Sequence, residues 1–419
     1  MSKFVKLSSI AELTVGFVGT MAKHYEDEGI PFLRSLNIKP FKIISDDMKY
    51  VSAEFSNSLS KSILHKGDVV IVRTGIPGTC CVVPAEYDGC NCSDVVIVHP
   101  NTELVNPHYL AAYINFWGQR QIQNNKVGAI QQHFNVHSAE EMLIFLPDIT
   151  EQEKIAKTIV ALNGKIENNF SVCVELEAMA KTLYDYWFTQ FDFPDENGKP
   201  YCSSGGEMVW NDQLKREIPK GWDTATINEM TKSCRGVSYD KNDLLPSPEN
   251  GVLVLRGNNI QNNRLVYDNN VAYVPHSLVA KEQQISAHDI ILTMSSGSKD
   301  HIGKCTMFQY DSPHTYGAFL TKFTPDKDKV GFVYLSMISD FFKKKVKAIC
   351  NGTGINNLTN ETFDNLIFPK PTEAVLARFE ETISPMFEKM GVCERENEEL
   401  TKLRDWLLPM LMNGQATVE

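Results

Sequence analysis

Four cysteines, Cys80, Cys81, Cys90 and Cys92, crowd into one short stretch and are the first residues whose type suggests chemistry. Thiolates at CxxC spacing bind zinc, but these four do not form two CxxC pairs. They read instead as small apolar core residues, and the ten cysteines of the chain as free thiols. The histidines are scattered, so no pair at helical spacing suggests a metal site. Carboxylates are plentiful, yet none stands in an Asp…Glu-x-Lys grouping beside a metal-ligand neighbour. No P-loop and no glycine-rich strand–loop–helix occurs. The expectation is a chain with no catalytic, cofactor-binding or metal-binding residues of its own.

What the sequence carries instead is a duplication. Gly29, Leu33, Arg34, Asn37 and Ile38 return as Gly251, Leu255, Arg256, Asn259 and Ile260, all 222 positions on. Gly67-Asp68-Val69-Val70-Ile71 is answered by His288-Asp289-Ile290-Ile291-Leu292, Tyr109-Leu110 by Tyr334-Leu335, and Leu143-Ile144-Phe145 by Leu366-Ile367-Phe368. Solenoid repeats run to about 20–50 residues, so a period this long marks a duplicated domain. Asn106-Pro107-His108-Tyr109 superficially resembles the Asn-Pro-Pro-Tyr loop of amino-methyltransferases, but its counterpart, Val330-Gly331-Phe332-Val333-Tyr334, keeps only the tyrosine. It is therefore a helix start, with Leu110, Tyr113, Ile114 and Trp117 on its apolar face.

Each copy divides into a mixed segment and a helical one. Val69–Val72 and Val95–Val98 are continuous apolar runs suited to buried strands, punctuated by turns at Gly75, Pro77, Gly78, Pro84 and Gly89. From Glu151 the apolar residues fall at Ile155, Ile159, Leu162, Ile166, Phe170, Cys173 and Leu176; in the second copy they fall at Phe379, Ile383, Met386, Met390 and Cys393, then Asn397 and Leu400. Steps averaging close to 3.5 are those of a coiled-coil seam, where a polar Asn397 sets register. Gly164 and Pro385 are weak points, and Pro385 should kink or restart its helix. The fold class expected is α+β: globular modules at 1–147 and 222–371, long helices at 148–190 and 372–413 packed antiparallel, and a Pro/Gly/Asp-rich connector at 191–221. A helix of about 35 residues spans roughly 50 Å.

The net charge of −11 argues against an indiscriminate nucleic-acid coat but leaves room for local basic faces. The first residues, Met1-Ser2-Lys3-Phe4, lack an apolar core of signal-peptide length, and no apolar run approaches a membrane span, so the expected location is cytoplasmic.

In this order of parts the chain resembles the specificity (S) subunit of type I restriction–modification systems. The resemblance is carried by the module–helix–module–helix duplication, Trp187-Phe188 leading to Asp192-Phe193-Pro194, Ile218-Pro219-Lys220-Gly221-Trp222 opening the second module, and Leu403-Arg404-Asp405-Trp406-Leu407-Leu408-Pro409 near the end. It implies two target-recognition domains, each reading half of a split, asymmetric double-stranded DNA site. It also implies a helical spacer and docking of two modification subunits and of restriction (translocase–nuclease) subunits. S-adenosylmethionine, ATP and Mg are then expected on those partners, and no membrane is involved. Exchanging residues 1–147 should change one half-site, and altering the length of the 151–188 helix should change the gap.

The duplication filters the candidate DNA contacts. Residues shared by both copies do not explain two different half-sites, so Arg34, Arg256, Asn37 and Asn259 read as structural or phosphate-contacting. Matching loops that differ are the candidates for base readout. One pair is Arg73 and Thr74 against Ser295, Ser296 and Lys299; the other is Lys126, Gln131, Gln132 and His133 against Asn356 and Asn357. Lys343, Lys344 and Lys345 form a basic run expected to end a helix, serving either its dipole or a phosphate. Tyr184, Trp187 and Trp406 are aromatics on the long helices, either anchors for partner docking or core. Two other readings stay open: a protein-interaction scaffold with no DNA role, and a specificity chain from a related defence system.

Overall fold

The computed structural model describes residues 3–118, 121, 134–267, 271–297, 301–352, 357–413 and 415–416. It comprises two compact units, residues 1–169 with 396–419 and residues 170–395. The boundary runs through both long helices, so each unit contains one globular module and a facing stretch of each helix.

In the first unit a four-stranded antiparallel sheet is built from β1 (Ala11–Val15), β2 (Val69–Val72), β3 (Cys80–Val82) and β4 (Val95–Pro100), in the order β1-β4-β2-β3. The apolar runs are continuous because both faces of the sheet are covered. Val69, Ile71, Val96 and Val98 face a cluster holding Tyr109, Ile155, Ile159 and Leu411. The alternate residues Val70, Val72, Val95 and Ile97 face a second cluster with Leu33, Ile38 and Leu64. Successive side chains on a strand point to opposite faces. Cys80 and Cys81 therefore enter different clusters, where burial raises both thiols above their ordinary range. Helix α1 (Pro107–Tyr113) follows, capped by Asn106, whose side chain accepts from the His108 and Tyr109 N–H groups.

The second unit repeats this plan. Strands β5 (Thr231–Arg235), β6 (Ile290–Thr293), β7 (Cys305–Met307) and β8 (Leu320–Pro325) pair in the order β5-β8-β6-β7, all antiparallel. Asp68 and Asp289 close the same turn before β2 and β6, accepting from the His65 and Ser286 N–H groups, each at 2.7 Å. The residue ahead of each aspartate is left-handed, Gly67 at φ +93° and His288 at φ +70°, which explains a glycine in one copy and marks His288 as a strained replacement. After β8 come α3 (Val330–Ile338) and α4 (Asp340–Gly352).

The long helices are α2 (Ile149–Tyr184) and α5 (Glu373–Met412). Both start just after a proline, and the next residue caps them: Asp148 accepts from the Glu151 N–H and Thr372 from the Val375 N–H. Within the first unit they run antiparallel, with Arg404 donating to Asn163 at 3.0 Å and Asn169 to Asn397 at 3.0 Å. Within the second unit they do so again, Cys173 meeting the Met390 carbonyl and Trp187, in the turn directly after α2, packing tilted against Phe379 with ring centroids 5.3 Å apart.

Three expectations about helices are corrected. Pro385 does not restart α5, which is one helix from Glu373 to Met412. The apolar face around it is held by Ile383, Phe387 and Met390 in the core, which offsets the lost backbone bond. Phe170 is not a seam residue: it is 42% exposed under the Arg264 guanidinium, and the buried neighbour is Asn169. The polar layer is accordingly wider than Asn397 alone. Asn169 donates to Glu396 at 2.7 Å, Asn397 donates to the Ile166 carbonyl at 3.1 Å, and Lys165 pairs with Glu396. Finally, Lys343–Lys345 do not end a helix. The chain leaves α3 at Ser339, which is extended, and the lysines lie in the first half of α4, so the dipole argument does not hold them there.

Candidate nucleic-acid interface

The loops singled out for their differences come together in both units. In the first, Arg73 directly follows β2, and its backbone N–H donates to the Asp94 carbonyl at 3.2 Å. Its side-chain Nε donates to the Phe134 carbonyl at 3.2 Å. The turn beyond it is closed by Val72 to Thr79 and Gly78 to Val72 backbone bonds, with Gly75 and Gly78 left-handed. Three loops thus meet at one corner. In the second unit, Met294 N–H donates to the Phe319 carbonyl at 2.9 Å, and Leu358 N–H donates to the Met294 carbonyl at 2.8 Å. Ser295 bridges Asn357, its hydroxyl bonded to the Asn357 amide oxygen. The corner is the same: its backbone bonds equate Arg73 with Met294 and Asp94 with Phe319, and Phe134 and Leu358 each stand just before the cap residue of the next short helix, Asn135 and Thr359.

Of the candidates, the structure therefore brings Arg73 to the second loop of its unit at Phe134, and Ser295 to Asn357 in the other. Thr74 is half-buried beside Arg73, and Ser296 follows Ser295 in the corner turn. Lys126, Gln131, Gln132, His133, Lys299 and Asn356 lie outside the described residues. An arginine held by Nε to a carbonyl is pre-aimed, and guanidinium and amide groups pair with guanine and adenine edges respectively.

The shared residues have architectural work. Asn37 is fully buried; its Oδ1 accepts from the Arg34 N–H, and its Nδ2 donates to the Ile44 and Asp46 carbonyls. Asn259 repeats the turn, accepting from the Arg256 N–H and donating to the Val266 carbonyl. The Arg34 guanidinium pairs with Asp47 at 2.9 Å; Lys49 and Arg34 together hold that carboxyl down at about 2. Arg256 Nε donates to the Tyr239 hydroxyl at 3.1 Å.

Lys343, Lys344 and Lys345 are exposed on α4, opposite the buried Phe342, Val346 and Cys350. Two of the three helix aromatics are core. Tyr184 is 5% and Trp187 is 6% exposed, packed with Phe188, Phe332 and Phe379, and the Tyr184 hydroxyl lies 3.0 Å from the Ser336 hydroxyl. Neither offers a face to a partner, because that cluster closes the second unit's core. Trp406 is 58% exposed on α5, near the exposed Leu403.

Matching by residue type missed two further pairs at these corners. The ladder register equates Val15, opposite Val96, with Arg235, opposite Thr321. That offset of 220 lies just outside those of the other matched pairs, and Asp94 and Phe319 share no chemistry, so neither pair could be matched by residue type. The strand pairing is the signal that finds them.

Among the described residues, no group of three or more His, Cys, Asp or Glu is arranged to hold a metal ion, and no helix is long and apolar enough to cross a membrane. A family model described as the type I restriction modification DNA specificity domain matches residues 2–177 and 219–379. The type I restriction enzyme StySPI specificity subunit of Salmonella potsdam is 29% identical over 208 residues, covering 48% of this chain and 44% of that protein. The chain thus spans less than half the length of that relative. The HindI specificity subunit of Haemophilus influenzae is 23% identical over 437 residues, covering 88% of this chain and 91% of that protein. In fold, the chain is similar to the crystal structure of the S subunit of a type I restriction–modification system from M. genitalium, with a TM-score of 0.55 at 15% identity over 98% of this chain and 96% of the other.

Proposed function

The chain belongs to the type I restriction–modification DNA specificity family, and from that premise we propose that it is the non-catalytic sequence reader of a restriction–modification complex. Each unit reads one half of a split, asymmetric site in double-stranded DNA through its three-loop corner. The chain docks two modification subunits and the restriction subunits, and the long helices set the gap between half-sites. S-adenosylmethionine, ATP and Mg belong to the partners, and the assembly works in the cytoplasm.

One observation carries this reading. The family match falls on both copies, and the copies keep the same buried sheet and the same Arg-x-x-Asn turn while differing at the same corner. Two readers of one construction with different reading surfaces suit two different half-sites, as paired half-site readers do.

The test is the methylome of cells expressing this chain with its modification partner, read from native DNA, with the partner alone as control. Adenine methylation at a split asymmetric motif that depends on this chain is the expected result. An assembled complex that leaves no such motif would refute the reading and favour a scaffold without a DNA role.

A further inference from the structure

The corner of the second unit carries two exposed side chains that the first unit lacks. Phe319 is 67% exposed. Its turn is nonetheless fixed: the Phe319 carbonyl accepts from the Met294 and Ser295 N–H groups, and the Leu320 N–H donates to the Gly317 carbonyl at 2.8 Å. Arg235, exposed at the end of β5, donates from Nε to the Ala318 carbonyl at 3.0 Å, directly before the phenylalanine. The next residue, Gly236, is packed so closely on Gly317 and Tyr316 that a Cβ there would collide with their carbonyls. Strand end and turn are therefore locked together, and both side chains are displayed from rigid backbone beside Ser295 and Asn357.

The equivalent positions in the first unit are Val15 and Asp94. Gly16 N–H bonds the Val95 carbonyl as Gly236 N–H bonds the Leu320 carbonyl, which fixes the correspondence. One corner thus shows a small apolar residue and an acid; the other shows a cation and a large ring. Among the described residues, the ring belongs to none of the hydrophobic core clusters.

We propose that Phe319 and Arg235 form a reading pair in which the phenyl ring packs on the 5-methyl group of one thymine in the half-site of the second unit, and the guanidinium holds the neighbouring phosphate. Apolar contact with the thymine methyl is one of the few ways a side chain without polar atoms reads a base. This rests on the chain being a DNA reader and names the residues and base feature it uses.

The experiment uses the full chain assembled with its modification partner, and duplexes in which each thymine of the motif is replaced in turn by uracil, removing the methyl alone. Binding is expected to weaken about fourfold at one position of one half-site, the worth of burying one methyl group. Phe319→Ala should bind the thymine and uracil duplexes equally, and Phe319→Leu should keep part of the preference. Arg235→Ala should weaken both duplexes alike and lower the salt slope of binding by about one. Asp94→Ala should leave that thymine preference intact. A half-site where uracil binds as well as thymine throughout, or a preference that survives Phe319→Ala, overturns the proposal while leaving the DNA-reading function standing. Absence of any sequence-specific duplex binding by the wild-type complex overturns both.

Discussion

Asn37→Ala separates the two roles open to the duplicated Arg-x-x-Asn turn. The Asn37 side chain is fully buried and makes three hydrogen bonds, accepting from the Arg34 N–H at 3.1 Å and donating to the Ile44 and Asp46 carbonyls at 3.2 and 3.0 Å. An internal hydrogen bond is worth about 1 kcal/mol net, and a buried polar group left unpaired costs about 1–3 kcal/mol. Alanine deletes all three bonds and strands their backbone partners, so the variant should lose about 2–4 kcal/mol, a large share of the roughly 5–15 kcal/mol that holds a protein folded. Equilibrium urea unfolding reads this as a lower midpoint. The assembled complex, below that midpoint, should show an unchanged dependence of duplex binding on salt, because no phosphate contact is removed. Asn37→Asp should not rescue stability, since it keeps the acceptor but loses both donated bonds and buries a charge. The reasoning fails if Asn37→Ala unfolds within about 0.5 kcal/mol of the wild type while its salt slope falls by about one.

Arg73→Ala should weaken duplex binding by about 1–3 kcal/mol and relax the motif in one half-site only; loss of both halves in the methylome would count against separate reading by the two units. In the helix pair, Asn397→Leu alone should cost about 1–3 kcal/mol because Asn169 and the Ile166 carbonyl each lose one partner, whereas Asn169→Leu with Asn397→Leu should recover most of it in urea unfolding. Glu380 gives a pH signature. It accepts from the Gly331 and Phe332 N–H groups at the start of α3, yet burial pushes its carboxyl up to about 7. A raised folded value means that its stabilising contribution is complete below the unfolded value of about 4.5 and is lost as pH rises through about 7. Thermal unfolding should thus show the wild type losing about 1–3 kcal/mol relative to Glu380→Gln across that window; parallel curves would count against it.

Much of the architecture was legible in residue patterns because it is set by burial. The runs Val69–Val72 and Val95–Val98 could be read as buried strands, and the apolar stripes starting at Ile155 and Phe379 as long helices, which are α2 and α5. What was not legible depends on facing partners. A periodic stripe extended to Phe170 gives the wrong residue, because the apolar stripe is interrupted there by a polar layer in which Asn169 finds Glu396 and Asn397. Tyr184 and Trp187 stand on a helix face whose partner, the Phe332 and Phe379 cluster, lies far away in sequence. The meeting of Arg73 with Phe134 and of Ser295 with Asn357 was suggested by loops that differ between copies, but only the fold shows that the two loops share a corner.

The two corners can diverge because their frame is made by the backbone. Arg73 to Asp94 and Met294 to Phe319 are both N–H to carbonyl bonds, so the side chains of Asp94, Met294 and Phe319 are not needed to join those two loops. The Asn37 and Asn259 turns are made by side chains, and there the residue is the same in both copies. One asymmetry remains in the frame. Asp94 sits in the left-handed region at φ +56°, and Phe319 does not. Aspartate tolerates that conformation, whereas a bulky ring there carries strain of about 1–3 kcal/mol. Exchanging the two residues should therefore be unequal: Phe319→Asp should leave stability within about 0.5 kcal/mol of the wild type, and Asp94→Phe should lower it by at least about 1 kcal/mol. Equal urea midpoints for the two variants would mean that the first corner relaxes its backbone freely, and a corner that relaxes freely would not hold Arg73 in a fixed aim.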